Sequence, residues 1–320
     1  MCTTRSYVPA KRLWLLIQLA FTAAVIWYFG LKVMHQWAEL DLLRAEIHPG
    51  WWRVAGSGIL VFGSYAVLIE TWRRTVIAWG ARLRFADAAR IWFISNLGRY
   101  LPGKVWQIGA MGALATQAGV SGVAAIGSSL VVNVVNVVAA CLVISLAGFA
   151  HLAGPQLLPL LSIVLIAMFT VPWILPGLVR LAGRLTGRTL VAPTIPPRSI
   201  LIALFGCAAA WVLYGIAFEQ LDIALFGSSA GTTASYTAVF TLSYLVGYLT
   251  FVPGGIGVRE VSLTALLAAA GLETDARASV LVIASRLWLV VLEAAPGLLL
   301  LALRGVGKKM ASDHHHIVSE

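Results

Sequence analysis

Lys104 and Arg259 are the residues of this sequence whose placement most asks for a chemical explanation. Each follows a Pro-Gly break, Pro102-Gly103 in one case and Pro253-Gly254-Gly255 in the other. Proline ends a helix and the glycine after it permits a turn, so both cations are expected in the first turns of a new helix. A helix N-terminus already carries partial positive charge, and a cation there is unfavourable by about 0.3–1 kcal/mol. An anion nearby reverses that sign, because free backbone N–H groups, the dipole and the basic side chain then converge on it. The expected ligand is a phosphate, held by Lys104 and Arg259 together with Arg99. The alternative is that Lys104 snorkels to an interface and Arg259 pairs with a carboxylate.

Other polar residues stand inside long apolar stretches, where ionisable groups pair, line water or serve function. Arg286 and Glu293 are seven apart and share a helix face. Ser129, Asn133 and Asn136 share a face of another helix, and Glu260 follows Arg259 directly. These residues are expected either to join helices by hydrogen bonds or to line a polar pathway, with Glu260, Arg286 and Glu293 as candidates for coupling. Gly98 to Lys104 fits G-x-x-x-x-G-K, but Val105 stands where Ser or Thr is needed and no strand precedes it, so a nucleotide site is not expected. No paired-cysteine or histidine metal site and no catalytic triad is evident, and no cofactor is expected. Glu39-Leu40-Asp41 has the E-x-D form found in an external loop of glycosyltransferases that use polyprenyl-phosphate donors, and that reading stays open.

The elements that must position these residues are membrane helices. The chain of 320 residues is 60% hydrophobic and 11% charged, with a mean hydropathy of +0.88; soluble domains carry about 25% charged residues. Six stretches are long enough for the roughly 20 residues of a span: 13–31, 54–72, 123–150, 157–179, 199–221 and 279–303. The first reads as a membrane helix and not as a cleavable signal. Two more apolar regions, 85–117 and 232–271, are broken by the Pro-Gly motifs into halves marginal for a span, either re-entrant or short-spanning. The fold expected is therefore all-α and polytopic, with eight to ten helices in one membrane domain over 1–310 and a disordered polar tail over 311–320.

The two broken regions resemble one another. Ile91–Leu101 reads IWFISNLGRYL and Val239–Leu249 reads VFTLSYLVGYL. Ser95 matches Ser243, Leu97 matches Leu245 and Tyr100 matches Tyr248; the Pro-Gly follows in both, and Gly119 and Gly271 close the second halves. This predicts an internal repeat, about 51–150 and 199–303, joined by a linker over 180–198. Of 23 Lys and Arg residues, 15 fall in four clusters, Arg5–Arg12, Arg73–Arg90, Arg180–Arg198 and Arg304–Lys309. The positive-inside rule places all four clusters in the cytoplasm, with both termini. Counting crossings from there makes the broken regions enter from opposite faces, the arrangement of an inverted-repeat transporter. The net charge of +10 follows from topology and contact with anionic lipid, and nucleic acid is not an expected partner.

Gly98–Ser121, GRYLPGKVWQIGAMGALATQAGVS, and Val252–Gly271, VPGGIGVREVSLTALLAAAG, resemble the hallmark stretches of the lysylphosphatidylglycerol synthase transmembrane family, and the likeness extends over nearly the whole membrane region. In the best-known members this domain is joined to a soluble one that aminoacylates phosphatidylglycerol, and the membrane domain is thought to move the product across the bilayer. No such soluble domain follows within the 320 residues, so synthase activity is not expected. The resemblance implies a flippase-like protein of the bacterial inner membrane that handles an anionic phospholipid or polyprenyl-linked lipid. The other readings are the glycosyltransferase and a non-transporting scaffold for a lipid-modifying enzyme. A homodimer or a lipid-synthesis enzyme as protein partner stays open.

Overall fold

The computed structural model describes residues 49–100, 105–148, 196–250 and 255–317, with the side chains of Arg99, Tyr100, Val105 and 304–317 excepted. All described elements are helical. They are α1 (Trp51–Ala78), α2 (Phe85–Asn96) running into a 3-10 turn (Leu97–Tyr100), α3 (Val105–Gln117), α4 (Gly122–Gly148), α5 (Pro197–Phe226), α6 (Thr233–Leu249), α7 (Val258–Ala269) and α8 (Asp275–Ile317). Four are long and apolar enough to cross a membrane, α1, α4, α5 and α8 as far as Leu303; they contain the expected spans 54–72, 199–221 and 279–303 and all of the expected span 123–150 except residues 149 and 150, which lie outside the described residues. The stretches 13–31 and 157–179, most of the linker, and Glu39 and Asp41 lie outside the described residues. Both regions expected to be broken are broken, α2 from α3 and α6 from α7.

The core is built on one seam. The Gly50 N–H donates to Ala224 O at 2.8 Å, Arg53 Nη1 to Gln220 Oε1 at 3.2 Å, Ser57 Oγ to Ala217 O at 2.8 Å and Ser64 Oγ to Ala210 O at 3.2 Å. Numbers rise along α1 as they fall along α5, so the two helices run antiparallel over their full length. Small residues let them approach. A side chain at Gly206 would run into Thr71, so Ser57, Ser64 and Thr71, seven apart, form one stripe of small polar residues against small residues of α5. In hydrocarbon, where apolar side chains gain nothing by leaving lipid, such close approach and its hydrogen bonds are what hold helices together.

Around this seam the second half of the chain repeats the first. Helix α1 packs on α2 and α4 as α5 packs on α6 and α8, and α4 reaches over α6 as α8 reaches over α2. Ser95 and Ser243 are both fully buried, and each bonds the carbonyl three residues back, Trp92 at 3.0 Å and Phe240 at 2.8 Å. Helices α3 and α7 end alike: Val120 N–H donates to Ala115 O and Gly119 N–H to Thr116 O, and Leu272 N–H donates to Leu267 O and Gly271 N–H to Ala268 O, all at 3.0–3.1 Å. Gly119 and Gly271 take φ of +80° and +64°, the left-handed residue that this double-bonded helix stop requires. Val120 and Leu272 next to them are buried, and Ser121 and Thr274 then cap α4 and α8. Because equivalent helices α1 and α5 meet antiparallel, the halves are related by an inversion of direction.

Two substitutions separate the forces in this core. Ser64→Ala removes one interhelical hydrogen bond and should lower stability by about 0.6 kcal/mol. Gly215→Ala places a methyl group 2.5 Å from Thr237 Cα on α6. Backbone must then shift, at about 1–3 kcal/mol. Thermal unfolding in detergent should rank Gly215→Ala well below Ser64→Ala.

Candidate functional site

A cavity of about 210 Å³ lies where the two broken helices approach α4, α5 and α8. Each half contributes the residues at its break. From the second half, α7 begins one residue before Arg259, as the Pro-Gly motif predicts. The guanidinium lies 4.9 Å from the ring centre of Phe240 and 4.4 Å from that of Tyr244, which stand one turn apart on α6. Gly247 makes this stacking possible, because a Cβ there would lie 3.0 Å from Arg259 Cβ. Arg259 is 6% exposed. Among the described residues no carboxylate forms an ion pair with it and no acceptor receives its N–H groups. Cation–π contact uses the face of the guanidinium and leaves the in-plane N–H edge for an acceptor in the cavity.

Glu260 has a different task. Its carboxylate accepts the Gly257 N–H at the start of α7; Gly257 has no side chain to return the bond, so Glu260 alone caps this end, with the charge that a helix N-terminus favours. Its other oxygen lies 3.3 Å from Arg286 Nε. Sequence reasoning grouped Arg286 with Glu293 on one face of α8. Both do line the cavity, but the ion pair from Arg286 to Glu260 crosses between helices and no spacing within α8 could show it.

The first half supplies amides where the second supplies charge. Counting back twelve residues from the terminal glycines Gly119 and Gly271 reaches Gln107 in one half and Arg259 in the other. Gln107 donates to Asn96 Oδ1, and Asn96 matches Tyr244 in the α2–α6 alignment. Gln107 is thus the structural counterpart of Arg259. Lys104, which the Pro-Gly motif paired with Arg259, lies outside the described residues, as does the side chain of Arg99. Asn133 and Arg286 correspond too, each twelve residues past the side chain that caps its helix. Asn133 Oδ1 accepts from the Tyr248 hydroxyl at 3.3 Å. Ser129, Asn133 and Asn136 all face the cavity and also tie helices: Ser129 Oγ accepts from Trp72 Nε1 at 3.1 Å and Asn136 O from Trp211 Nε1 at 3.2 Å. Ser129 and Asn133 thus tie helices through their side chains and Asn136 through its backbone carbonyl.

The remaining wall is aromatic, chiefly Tyr65, Trp92, Trp211 and Tyr214. Sequence reasoning did not single these out, because tryptophan and tyrosine in a membrane chain first read as interfacial anchors. Among the described residues no group of His, Cys, Asp and Glu could hold a metal ion.

The match to known families agrees with this architecture. The family described as the lysylphosphatidylglycerol synthase TM region matches residues 15–297, which includes both broken helices and every residue of the cavity. No curated protein matches the chain. The match covers most of the sequence, and the chain belongs to the lysylphosphatidylglycerol synthase transmembrane-region family.

Proposed function

We propose that the protein moves an anionic lipid, a phospholipid or a polyprenyl-linked lipid, across the bacterial inner membrane, with both chain termini in the cytoplasm. The observation that carries this reading is the Arg259 guanidinium, stacked on two rings inside a cavity between two broken membrane helices, with no acceptor for its N–H groups among the described residues. A buried cation in that setting is stabilised by an anion, and an anion within membrane helices is most simply a lipid headgroup. The cavity is too small for a whole phospholipid, so acyl chains would stay in the bilayer while the headgroup passes. Inverted halves with broken helices facing one site supply the geometry of alternating access. Arg99 and Lys104, on the other hairpin, would receive the headgroup in turn, and the amides of Asn133 and Asn136 would line its path.

Reconstitution in liposomes with labelled lipids tests the reading. Labelled anionic lipid should cross faster than in protein-free vesicles, and zwitterionic lipid should not. Equal rates with and without protein for every anionic lipid tried would leave the scaffold reading instead. Glycosyl transfer abolished by Glu39→Ala with Asp41→Ala would favour the glycosyltransferase.

Two variants should shift lipid binding in opposite directions. Arg259→Gln removes a charge-assisted hydrogen bond worth about 1.5–3 kcal/mol, so anionic-lipid affinity should fall about ten-fold or more. It also removes the stacking on Phe240 and Tyr244, so the lipid-free protein should lose about 0.5–2 kcal/mol of stability. Arg259→Lys should weaken binding as well if the contact is a two-pronged fork to phosphate. Glu260→Gln should destabilise the lipid-free protein yet tighten anionic-lipid binding, because the negative charge of Glu260 beside Arg286 no longer competes with the ligand. Thermal stabilisation by phosphatidylglycerol, cardiolipin and a zwitterionic lipid measures both. Unchanged anionic stabilisation in Arg259→Gln and Glu260→Gln would remove the headgroup site.

A further inference from the structure

At the end of the second half farthest from the break, four elements meet: the last turns of α5, the first turn of α6, the loop from α7 to α8, and the first turn of α8. Asp222 of α5 is fully buried here. Its Oδ2 accepts the Tyr236 hydroxyl of α6. Its Oδ1 receives no N–H or O–H from the described residues. The Glu273 carboxyl, in the loop that follows Gly271, lies within hydrogen-bonding reach of Asp222, and a carboxyl can donate only when protonated. The other charged groups at this corner do not fill the gap. Glu219 of α5 accepts from Thr233 Oγ1 at 2.6 Å. Arg53 of α1 is bonded to Gln220. Arg277 of α8 lies over the Phe226 ring at 5.1 Å and partly offsets the two carboxyls from there. Asp275 is exposed.

We propose that Asp222 and Glu273 hold one exchangeable proton between them, and that this proton latches the α7–α8 corner onto α5 and α6. Two carboxylates in contact cannot both be ionised without heavy cost. Burial, and then the charge of Asp222, push the Glu273 carboxyl up to about 7, so Glu273 supplies the donor that Asp222 Oδ1 otherwise lacks. Loss of the proton sets a second negative charge against a buried one, and the relief open to the structure is movement of Glu273 outward. Glu273 lies on the connection out of α7, whose other end carries Arg259 and Glu260. Among the described residues the matching corner of the first half lacks the acid: Val120 and Ser121 stand where Leu272, Glu273 and Thr274 stand in the second. The latch therefore acts on the second hairpin, whatever ligand the cavity takes.

The sign follows from linkage. The closed corner binds the proton more tightly than the open one, so closure is favoured at low pH and weakens as pH rises from the ordinary glutamate range to about 7, with no further change above. Amide exchange of residues 270–276 in the full chain, held in lipid nanodiscs and corrected for intrinsic pH dependence, should show opening that increases up to about ten-fold per pH unit between roughly pH 5 and 7 and then levels off. Glu273→Gln keeps a donor and cannot ionise, so it should stay protected across the range. Asp222→Asn should move the transition to lower pH. Infrared difference spectra of the unmodified protein should show a buried carboxylic-acid band at about pH 6 that is gone at about pH 8 and absent in Glu273→Gln. Flat exchange from pH 5 to 8, or no acid band at pH 6 in the unmodified protein, would overturn the proposal, and the second readout stands even if a variant fails to fold.

Discussion

The antiparallel contact of α1 with α5 is the constraint from which the rest of the molecule follows. A membrane offers helices little hydrophobic reason to associate, so contact rests on small residues and hydrogen bonds. Ser57 and Ser64 donate to carbonyls of α5, and Thr71 meets Gly206 where no larger residue fits. Once the pair is set antiparallel, each hairpin has one place to lie. The breaks of α2–α3 and α6–α7 are brought to the same level from opposite directions, and one cavity forms between them. Polar groups that would be costly in lipid are thereby gathered where they face each other. Asn96 meets Gln107, Tyr248 meets Asn133, and Arg286 meets Glu260.

Much of this frame can be read from the residues in order. The Pro-Gly breaks, the matched Ser95 and Ser243, and the closing glycines Gly119 and Gly271 are local signals, because proline and left-handed glycine act on the backbone at their own position. The start of α7 just before Arg259 follows from the same logic, as does the orientation of Ser129, Asn133 and Asn136 toward one face. Partnership across helices is not local. The pairing of Glu260 with Arg286 joins residues on different helices, and the stacking of Arg259 on Phe240 and Tyr244 depends on how close Gly247 lets α6 approach. The stripe of Ser57, Ser64 and Thr71 looks like ordinary tolerated polarity until α5 is placed beside it. The Pro-Gly motif also set Lys104 opposite Arg259, whereas the terminal glycines and the helix geometry set Gln107 there. Lys104 follows its proline by two residues and Arg259 follows its own by six, so a shared position after the break is not a shared register, and the far ends of the helices supply the register.

The cavity is symmetric in backbone and asymmetric in charge. Where the second half presents Arg259 and Arg286, the first presents Gln107 and Asn133 at corresponding positions. Neutral amides can pass hydrogen bonds to a polar group without holding a charge in place. Guanidinium groups hold an anion firmly and give it up only against a competing charge, which Glu260 supplies beside Arg286. A ligand shared by both faces would thus be met by a tight side and a loose side, so the two directions of passage would not be equivalent even with identical helix movements.

The seam between α1 and α5 also bears on ancestry. Both helices meet through small residues and lie head to tail, although each hydrogen bond described between them runs from a donor on the α1 side to an acceptor on α5. A chain of half this length, inserted in the membrane in both orientations, would pair with its own inverted copy through the close approach of small residues alone. Joining two copies into one polypeptide fixes which orientation each adopts and frees them from having to match. The amides of one half and the guanidinium groups of the other, and an acid latch on one corner alone, are differences that become available only after such a fusion.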